Sequence, residues 1–163
     1  MKRLQDILYE IDLKLLQGSA DKDIAGMSSD SRKIEKDFVF FALSGTQVDG
    51  HQFIGKAVEA GATAIICENT DINVPDHVSV YYAENAHAAY AKASSNYFDR
   101  PTDDLKIVGI TGTNGKTTTA TLLFNLFNAS GHKSGLLSTV RYKIGEKEFP
   151  ASHTTPDAYR LNE

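Results

Sequence analysis

Short apolar runs alternate with segments of helical periodicity over the first hundred residues of the chain. The apolar runs, typical of strands that are covered on both faces, lie at residues 37–43, 63–67 and 78–82. Apolar residues recur at helical spacing in residues 4–15, 53–58 and 85–97. Asp49 and Asn85 are good caps for the second and third of these helices, and Gly61 is a good stop. Strands that alternate with helices predict an α/β domain.

A polar stretch at residues 99–104 interrupts this alternation. It has no apolar periodicity and contains Pro101, so we place a boundary between two units there. The prediction is a small N-terminal α/β domain at residues 1–102, followed by the truncated start of a second domain at residues 103–163.

The second segment opens with a predicted βαβ unit. An apolar run at residues 106–110 predicts a strand, which a glycine-containing loop connects to a helix that ends near Gly131. The buried side of that helix is predicted to consist of Leu122, Leu123, Leu126 and Phe127. Residues 135–140 then predict a second strand.

The last residues predict a hairpin and the beginning of a helix. Residues 142–149 suit a hairpin that turns at Gly145. Thr155, Pro156 and Asp157 suit the cap and first turn of a helix. The chain stops within this element, which favours an artificially truncated chain over a natural fragment.

Composition and charge exclude several classes of protein. The 163 residues are 41% hydrophobic and 23% charged, as in ordinary globular domains, and the formal net charge is -4. Nucleic acids and acidic membranes select clustered Lys and Arg, so neither is expected as a partner. No apolar run approaches the ~18 residues of a membrane span. The lone Cys67 lies in an apolar run and suits a buried reduced thiol. We therefore expect a cytoplasmic protein.

The strongest chemical signal is the segment Thr-Gly-Thr-Asn-Gly-Lys-Thr-Thr-Thr at residues 111–119, between a predicted strand and a predicted helix. Glycines let a loop fold tightly so that its backbone N–H groups face an anion, and the helix amino terminus adds a partial positive charge. Lys116 is then expected to reach the β- and γ-phosphates, and the hydroxyl of Thr117 to meet Mg²⁺. The pattern favours a nucleoside triphosphate.

The spacing of this loop leaves alternatives. It differs from the common Gly-x-x-x-x-Gly-Lys-[Ser/Thr] loop, since Ile110 stands six positions before Lys116. A glycine-rich turn with a solvated lysine is the plain alternative, which the order of strand, loop and helix disfavours. A dinucleotide-binding loop fits less well, because Gly-x-Gly-x-x-Gly is absent.

The same segment resembles the phosphate loop of the Mur ligase family, which reads Thr-Gly-Thr-Asn-Gly-Lys-Thr-Thr. Upstream, Ser-Asp-Ser-Arg at 29–32, the apolar run at 37–43 and Asp-Gly-His-Gln-Phe-Ile at 49–54 look like the UDP-binding domain of MurE-type and MurF-type members. Downstream, Ser-Thr-Val at 138–140 and His-Thr-Thr-Pro-Asp at 153–157 resemble the MurE type in particular. The likeness spans essentially the whole chain and identifies it as the amino-terminal part of a MurE-type family member.

The resemblance implies an ATP-dependent, Mg²⁺-assisted amide ligase of peptidoglycan precursor synthesis, monomeric at full length. In such enzymes the terminal carboxylate of UDP-N-acetylmuramoyl-L-alanyl-D-glutamate takes the γ-phosphoryl group of ATP. The amine of meso-diaminopimelate or L-lysine then displaces phosphate from the acyl-phosphate. This chemistry depends on charge neutralisation more than on covalent catalysis. By the resemblance, further metal ligands, a carbamylated lysine and the amino-acid site lie beyond Glu163, so the sequence does not distinguish the two amino acids.

The resemblance also assigns site residues. The ATP site comprises Gly112, Thr113, Asn114, Gly115, Lys116, Thr117 and Thr118, with Lys116 as the catalytic residue and Thr117 as the metal ligand. The uridine-diphosphate portion falls near Ser29, Ser31, Thr46, Gln47 and Val48, and the sugar-peptide near His153, Thr154 and Thr155. Thr46 stands where MurE-type enzymes often have His, and His153 stands where they often have Asn.

Some of these residues also have purely structural explanations. Ser31 and Arg32 suit a turn, and Asp49 suits a helix cap. Thr155 suits the start of the last helix, so Thr154 carries more functional weight. Four histidines lack metal-ligand spacing and are assigned no chemistry, namely His51, His77, His87 and His132.

Three other functions stay open at the level of sequence. A MurF-type ligase shares the first domain, and a folylpolyglutamate synthetase resembles the loop but lacks that domain. A nucleotide-sugar-binding module without ligase activity is the third.

Overall fold

The computed structural model describes residues 1–45, 48–150 and 156–163. The chain divides into two units, one comprising Met1–Asp103 with Asn162–Glu163 and the other Asp104–Leu161. That residues 1–102 fold as an independent domain stays a prediction. Within the described residues, no helix has the length and apolar character needed to cross a bilayer.

The first unit consists of a five-stranded sheet, a small ribbon and three α-helices. Its strands are β1 (Lys2–Arg3), β2 (Leu13–Gln17), β3 (Asp23–Ile24), β4 (Gly26–Ser28), β5 (Phe38–Phe41), β6 (Ala62–Cys67) and β7 (Ser79–Ala83). Its helices are α1 (Leu4–Ile7), α2 (Ile54–Glu59) and α3 (Ala86–Tyr97), with short 3-10 helices at Ser31–Lys33, Gly50–Phe53 and Pro101–Asp104. The strands and helices predicted between residues 37 and 97 are therefore confirmed.

The order of strands in the main sheet is β2-β7-β6-β5-β4. Strands β4 to β7 are parallel, with Val39 of β5 opposite Ala64 of β6 and Ala64 opposite Ser79 of β7. Strand β2 is antiparallel to β7, and β1 and β3 form the separate ribbon. Because the four parallel strands run the same way, their carboxyl ends meet at one edge of the sheet.

Helices cover both faces of this sheet. Phe40 is fully buried in a cluster with Ile54 and Ala57 of α2. Its neighbour Phe41 points to the other face, where its ring centroid lies 5.1 Å from that of Tyr90 in α3. Burying such a ring is worth roughly 1.5–3 kcal/mol relative to exposure. The result is an α/β/α arrangement, which confirms the predicted α/β class.

The helix predicted over residues 4–15 is wrong beyond its first turn. Helix α1 ends at Ile7, and Glu10 has a positive φ of 56°, which a helix does not tolerate. Leu13 to Gln17 instead form β2 on β7, with Leu13 opposite Ala83. The backbone hydrogen bonds offered by the edge of β7 outweigh the weak helical periodicity of this segment.

The second unit contains a helix, a three-stranded antiparallel sheet and a short terminal helix. These are α4 (Lys116–Ala129), β8 (Gly135–Leu137), β9 (Arg141–Ile144), β10 (Lys147–Pro150) and α5 (Ala158–Asn162). The hairpin of β9 and β10 turns at Gly145, whose φ is 57°, as predicted. In α5, the carboxylate of Asp157 accepts the N–H of Arg160 at 3.1 Å and so caps the helix.

The strand predicted at residues 106–110 is not formed, so the predicted βαβ unit lacks its first strand. Ile107 and Val108 are 69% and 62% exposed. Strand β8, shorter than the predicted 135–140, pairs with β9 and with no other strand in the described part of the chain. A strand exists only through the partner that completes its backbone hydrogen bonds, and none of the described residues pairs with residues 106–110.

Candidate functional site

The loop before α4 has the geometry that suits an anion. Gly115 immediately precedes the helix with φ of 79°, and Gly112 has φ of 150°. Both backbone conformations favour glycine. No side chain caps the helix, and the first bond of its ladder joins the N–H of Thr119 to the carbonyl of Gly115 at 2.8 Å. The N–H groups of the first turn are therefore available to an anion, which the helix dipole also favours.

Lys116 folds back over this loop. Its ammonium donates hydrogen bonds to the carbonyl oxygens of Gly112 and Thr113, the latter at 3.1 Å. Thr117, next in the first turn, is half-buried, while the loop residues before it are exposed. The loop thus brings together a lysine ammonium, glycines with positive φ and an uncapped helix, and this set fits a polyphosphate.

A second candidate region is the edge of the first unit's sheet where β4 and β5 end. Ser29 and Ser31 follow β4 and are half-buried, and Val48, which follows β5, is 56% exposed. Since β4 and β5 are adjacent and parallel, these residues lie at the same edge. Ligands of open α/β sheets bind at this edge.

The turn after β4 is held by a carboxylate. Asp30 accepts the backbone N–H of Arg32 at 3.0 Å and forms a two-point ion pair with its guanidinium. These hydrogen bonds, with the side-chain pair foremost, lower the pKa of Asp30 to about 2. The carboxylate is therefore charged throughout the physiological range and keeps the guanidinium of Arg32 beside Ser31.

A hydrogen-bond network spans the ends of β5 and β6. Glu68, directly after β6, accepts the N–H of Ala86 at 2.8 Å and the hydroxyl of Ser44 at 2.7 Å. Both bonds lower the pKa of the Glu68 carboxyl. His51 joins the network through the N–H of Glu68 at 3.0 Å and the carboxylate of Asp49 at 2.6 Å. The hydrogen bond from the backbone N–H of His51 is the main cause that lowers the pKa of the Asp49 carboxyl.

The predicted site residues divide into three sets. The seven residues predicted for ATP are contiguous, and the structure gathers them in the loop and first turn of α4. Ser29, Ser31 and Val48 share the sheet edge of the first unit. Five residues lie outside the described part of the chain, namely Thr46, Gln47, His153, Thr154 and Thr155.

Sequence reasoning missed Glu68 and left His51 without a role. Glu68 follows the apolar run 63–67 directly, which puts a carboxylate at the carboxyl end of a buried strand. A carboxylate at the end of a predicted parallel strand is the sequence feature that could have identified Glu68 as a site residue. The contact of His51 with Glu68 has no local signal in the sequence, because the two residues are 17 positions apart. Among the described residues, no three His, Cys, Asp or Glu side chains are grouped to hold a metal ion.

Comparisons with known proteins agree with these features. Residues 23–101 match the family model described as Mur ligase family, catalytic domain, and residues 110–163 match the Mur ligase middle domain. The chain is 43% identical over 161 residues to the UDP-N-acetylmuramoyl-L-alanyl-D-glutamate--2,6-diaminopimelate ligase of Cytophaga hutchinsonii, which covers 98% of this chain and 33% of the relative. The enzyme of the same name from Clostridium perfringens is 38% identical, with the same coverage.

Solved structures show the same relationship. A structure of a UDP-N-acetylmuramoyl-L-alanyl-D-glutamate--2,6-diaminopimelate ligase matches with a TM-score of 0.72 and 26% identity, over 99% of this chain and 32% of that one. The MurF ligase of Thermotoga maritima, solved in complex with ADP, matches with a TM-score of 0.50 and 32% identity. That match covers 63% of this chain and 23% of the MurF chain.

Fold and loop define an α/β protein with a glycine-rich phosphate-type loop at the start of a helix. The two family models together extend over most of the sequence. The chain belongs to the Mur ligase family, and the relatives named above that match nearly the whole chain are of the MurE type. It spans about a third of the length of the curated relatives that it matches.

Proposed function

We propose that this chain supplies the nucleotide-sugar-binding unit and the ATP phosphate loop of a MurE-type ligase. The whole enzyme adds the third amino acid to UDP-N-acetylmuramoyl-L-alanyl-D-glutamate through an acyl-phosphate. The observation that carries this proposal is the match over 98% of the chain to relatives named as ligases of that substrate and 2,6-diaminopimelate. Those names favour diaminopimelate over L-lysine as the amino acid added.

ATP is the proposed occupant of the loop at residues 112–118. The uncapped first turn of α4 provides N–H donors. The ammonium of Lys116, now hydrogen-bonded to the carbonyls of Gly112 and Thr113, is proposed to bind phosphate oxygens instead when ATP is present. The Thermotoga maritima relative was solved with ADP, which supports a nucleotide here. Lys116 then neutralises charge that develops as the γ-phosphoryl group leaves, and it forms no covalent bond itself.

Mg²⁺ is proposed to accompany the nucleotide. The hydroxyl of Thr117, one residue after Lys116, would be a ligand of the ion beside the phosphate oxygens of the nucleotide. When bound, the ion supplies charge neutralisation at the phosphates.

The UDP-sugar-peptide is proposed to bind at the carboxyl edge of the first unit's sheet. Ser29 and Ser31 offer hydroxyl groups there, and Thr46, Gln47 and Val48 belong to the segment after β5. Arg32, kept beside Ser31 by Asp30, adds a cation suited to a diphosphate. His153, Thr154 and Thr155 are proposed to contact the sugar-peptide. We place the whole enzyme in the cytoplasm, as a monomer.

The test uses the full-length protein with UDP-N-acetylmuramoyl-L-alanyl-D-glutamate, ATP and Mg²⁺. We expect phosphate release and a tripeptide product when meso-diaminopimelate is supplied, and neither when the dipeptide substrate is omitted. Release that requires a UDP-tripeptide and D-alanyl-D-alanine instead would indicate a MurF-type ligase. Binding of the nucleotide-sugar without phosphate release under any of these conditions would indicate a binding module.

A second measurement tests the substrate contacts. Removing one hydrogen-bonding partner from such a site costs about 1–3 kcal/mol. We expect calorimetry to show weaker binding of the UDP-dipeptide to Gln47→Ala than to the unmodified protein. Equal affinities would remove Gln47 from the site.

A further inference from the structure

Both ends of the segment from Gly45 to Val48 are tied to the same residue, Glu68. At the first end, the hydroxyl of Ser44 donates to Oε2 of Glu68 at 2.7 Å. At the second end, Asp49 contacts Nδ1 of His51 at 2.6 Å, and Nε2 of His51 contacts the backbone nitrogen of Glu68 at 3.0 Å. The carboxyl end of β6 therefore anchors both sides of the loop that follows β5.

The contact with Glu68 determines the tautomer of the neutral His51 ring. A backbone N–H is only a donor, so Nε2 of His51 must present a lone pair to it. The proton of a neutral ring then lies on Nδ1 and is donated to the carboxylate of Asp49. An imidazolium would place a second N–H against that of Glu68 and lose this bond. His51 is 15% exposed in its side chain, which limits competition by water.

Glu68 is itself held in place by a third element, helix α3. The second carboxylate oxygen of Glu68 accepts the N–H of Ala86 at the start of α3, at 2.8 Å. His87, in the same turn of α3, lies with Nε2 3.1 Å from the carbonyl of Ser44. The charged or titratable groups that face His51 across this network are thus Asp49, Glu68 and His87.

We infer that His51 and Glu68 are positioning residues that hold Ser44 and Asp49 in place at the carboxyl edge of the sheet, where the uridine-diphosphate portion of the ligand is proposed to bind. This inference rests on the proposed function of that edge. Two backbone bonds close the same loop, from the N–H of Gly45 to Val48 at 3.2 Å and from that of Gly50 to Leu43 at 2.9 Å. Neither of these two bonds reaches β6, whereas the contacts of Ser44 and His51 with Glu68 do. A site that is in its binding-competent state for only a fraction of the time has an apparent affinity reduced in proportion to that fraction.

Two substitutions at His51 separate its two contacts. In His51→Gln the amide oxygen occupies the place of Nε2 and continues to accept the N–H of Glu68. In His51→Asn the amide remains near Asp49 but no longer reaches Glu68. We expect His51→Gln to bind UDP, measured by calorimetry on the 163-residue chain, within about twofold of the unmodified protein. His51→Asn should bind about tenfold more weakly. His77→Asn, before β7 at the opposite edge of the sheet, is the matched control.

The outcomes distinguish this inference from the function on which it rests. Binding of UDP that is equal in all four proteins overturns the inference and leaves the proposed function standing. Absence of UDP binding by the unmodified chain contradicts both. A readout that needs no variant is the ¹⁵N spectrum of the His51 ring in its neutral form, where we expect a proton on Nδ1 and none on Nε2. A proton on Nε2 also overturns the inference.

Discussion

The carboxylate of Asp30 and the guanidinium of Arg32 form a parallel two-point ion pair, with Nε to Oδ1 at 2.9 Å and Nη2 to Oδ2 at 2.8 Å. The residues are only two positions apart, so the pair closes the turn that leaves β4. The charge-assisted bonds hold the pKa of Asp30 at about 2, below its ordinary value of 3.8.

This lowered pKa predicts how acid acts on the turn. Since the folded state binds the proton of Asp30 less readily than the unfolded state, the pair stabilises the protein above about pH 4. That contribution is lost as the pH falls to about 2. We expect Asp30→Asn to lower the free energy of unfolding at pH 6, with the difference disappearing near pH 2. The exposed Asp76→Asn serves as the control, and a pH-independent difference would contradict the assignment.

The first unit should fold without the second. Its sheet is covered on both faces by its own helices, and Phe40 and Phe41 are fully buried in it. We expect a chain that ends at residue 103 to unfold cooperatively and to keep its near-UV circular dichroism. In that chain, Phe40→Ala should cost about 3–5 kcal/mol, whereas a substitution of the exposed Tyr9 should cost far less. A gradual melt with no near-UV signal would show that the unit depends on the rest of the chain.

The phosphate loop should be sensitive to a side chain at Gly115. Its φ of 79° strains any other residue by roughly 1–2 kcal/mol, although no atom lies near enough to clash with a Cβ. We expect Gly115→Ala to weaken ATP binding to the full-length enzyme about tenfold. Gly109→Ala, at an equally open position without a positive φ, should bind ATP normally. Equal affinities in the two variants would argue against a backbone role for Gly115.

Lys116 should be required for turnover but not for binding of the nucleotide-sugar substrate. Because its proposed contacts are phosphate oxygens of ATP, we expect Lys116→Ala to abolish turnover of the full-length enzyme while the Kd for the UDP-dipeptide stays nearly unchanged. Lys133→Ala, an exposed lysine beyond α4, is the control. Normal turnover in Lys116→Ala would overturn the phosphate-loop assignment.

The 163-residue chain alone should form no amide bond, even with ATP, Mg²⁺, the UDP-dipeptide and diaminopimelate supplied together. Phosphoryl transfer needs the γ-phosphate, the metal and the acceptor carboxylate held in line, and positioning supplies most of the acceleration. This chain corresponds to a third of the length of its relatives. Phosphate release that depends both on the dipeptide substrate and on Lys116 would show that this part suffices.

Local features of the sequence predicted much of the fold and part of the candidate site. The runs that form β5, β6 and β7 are apolar at nearly every position, because strands covered on both faces have no solvent side. The cap at Asn85 and the turn at Gly145 depend on residues within one turn of each other. The phosphate loop is contiguous, so its residue types and their order are visible without any long-range contact.

Tertiary structure decided whatever depends on a partner distant in the chain. Residues 13–17 became a strand because the edge of β7 supplied hydrogen bonds, and residues 106–110 did not become one because no strand among the described residues pairs with them. The tie between His51 and Glu68 arises because β6 ends beside the loop that follows β5. Side-chain periodicity reports which face of a segment is buried, but a hydrogen bond between distant residues exists only once the sheet order has brought its donor and acceptor together.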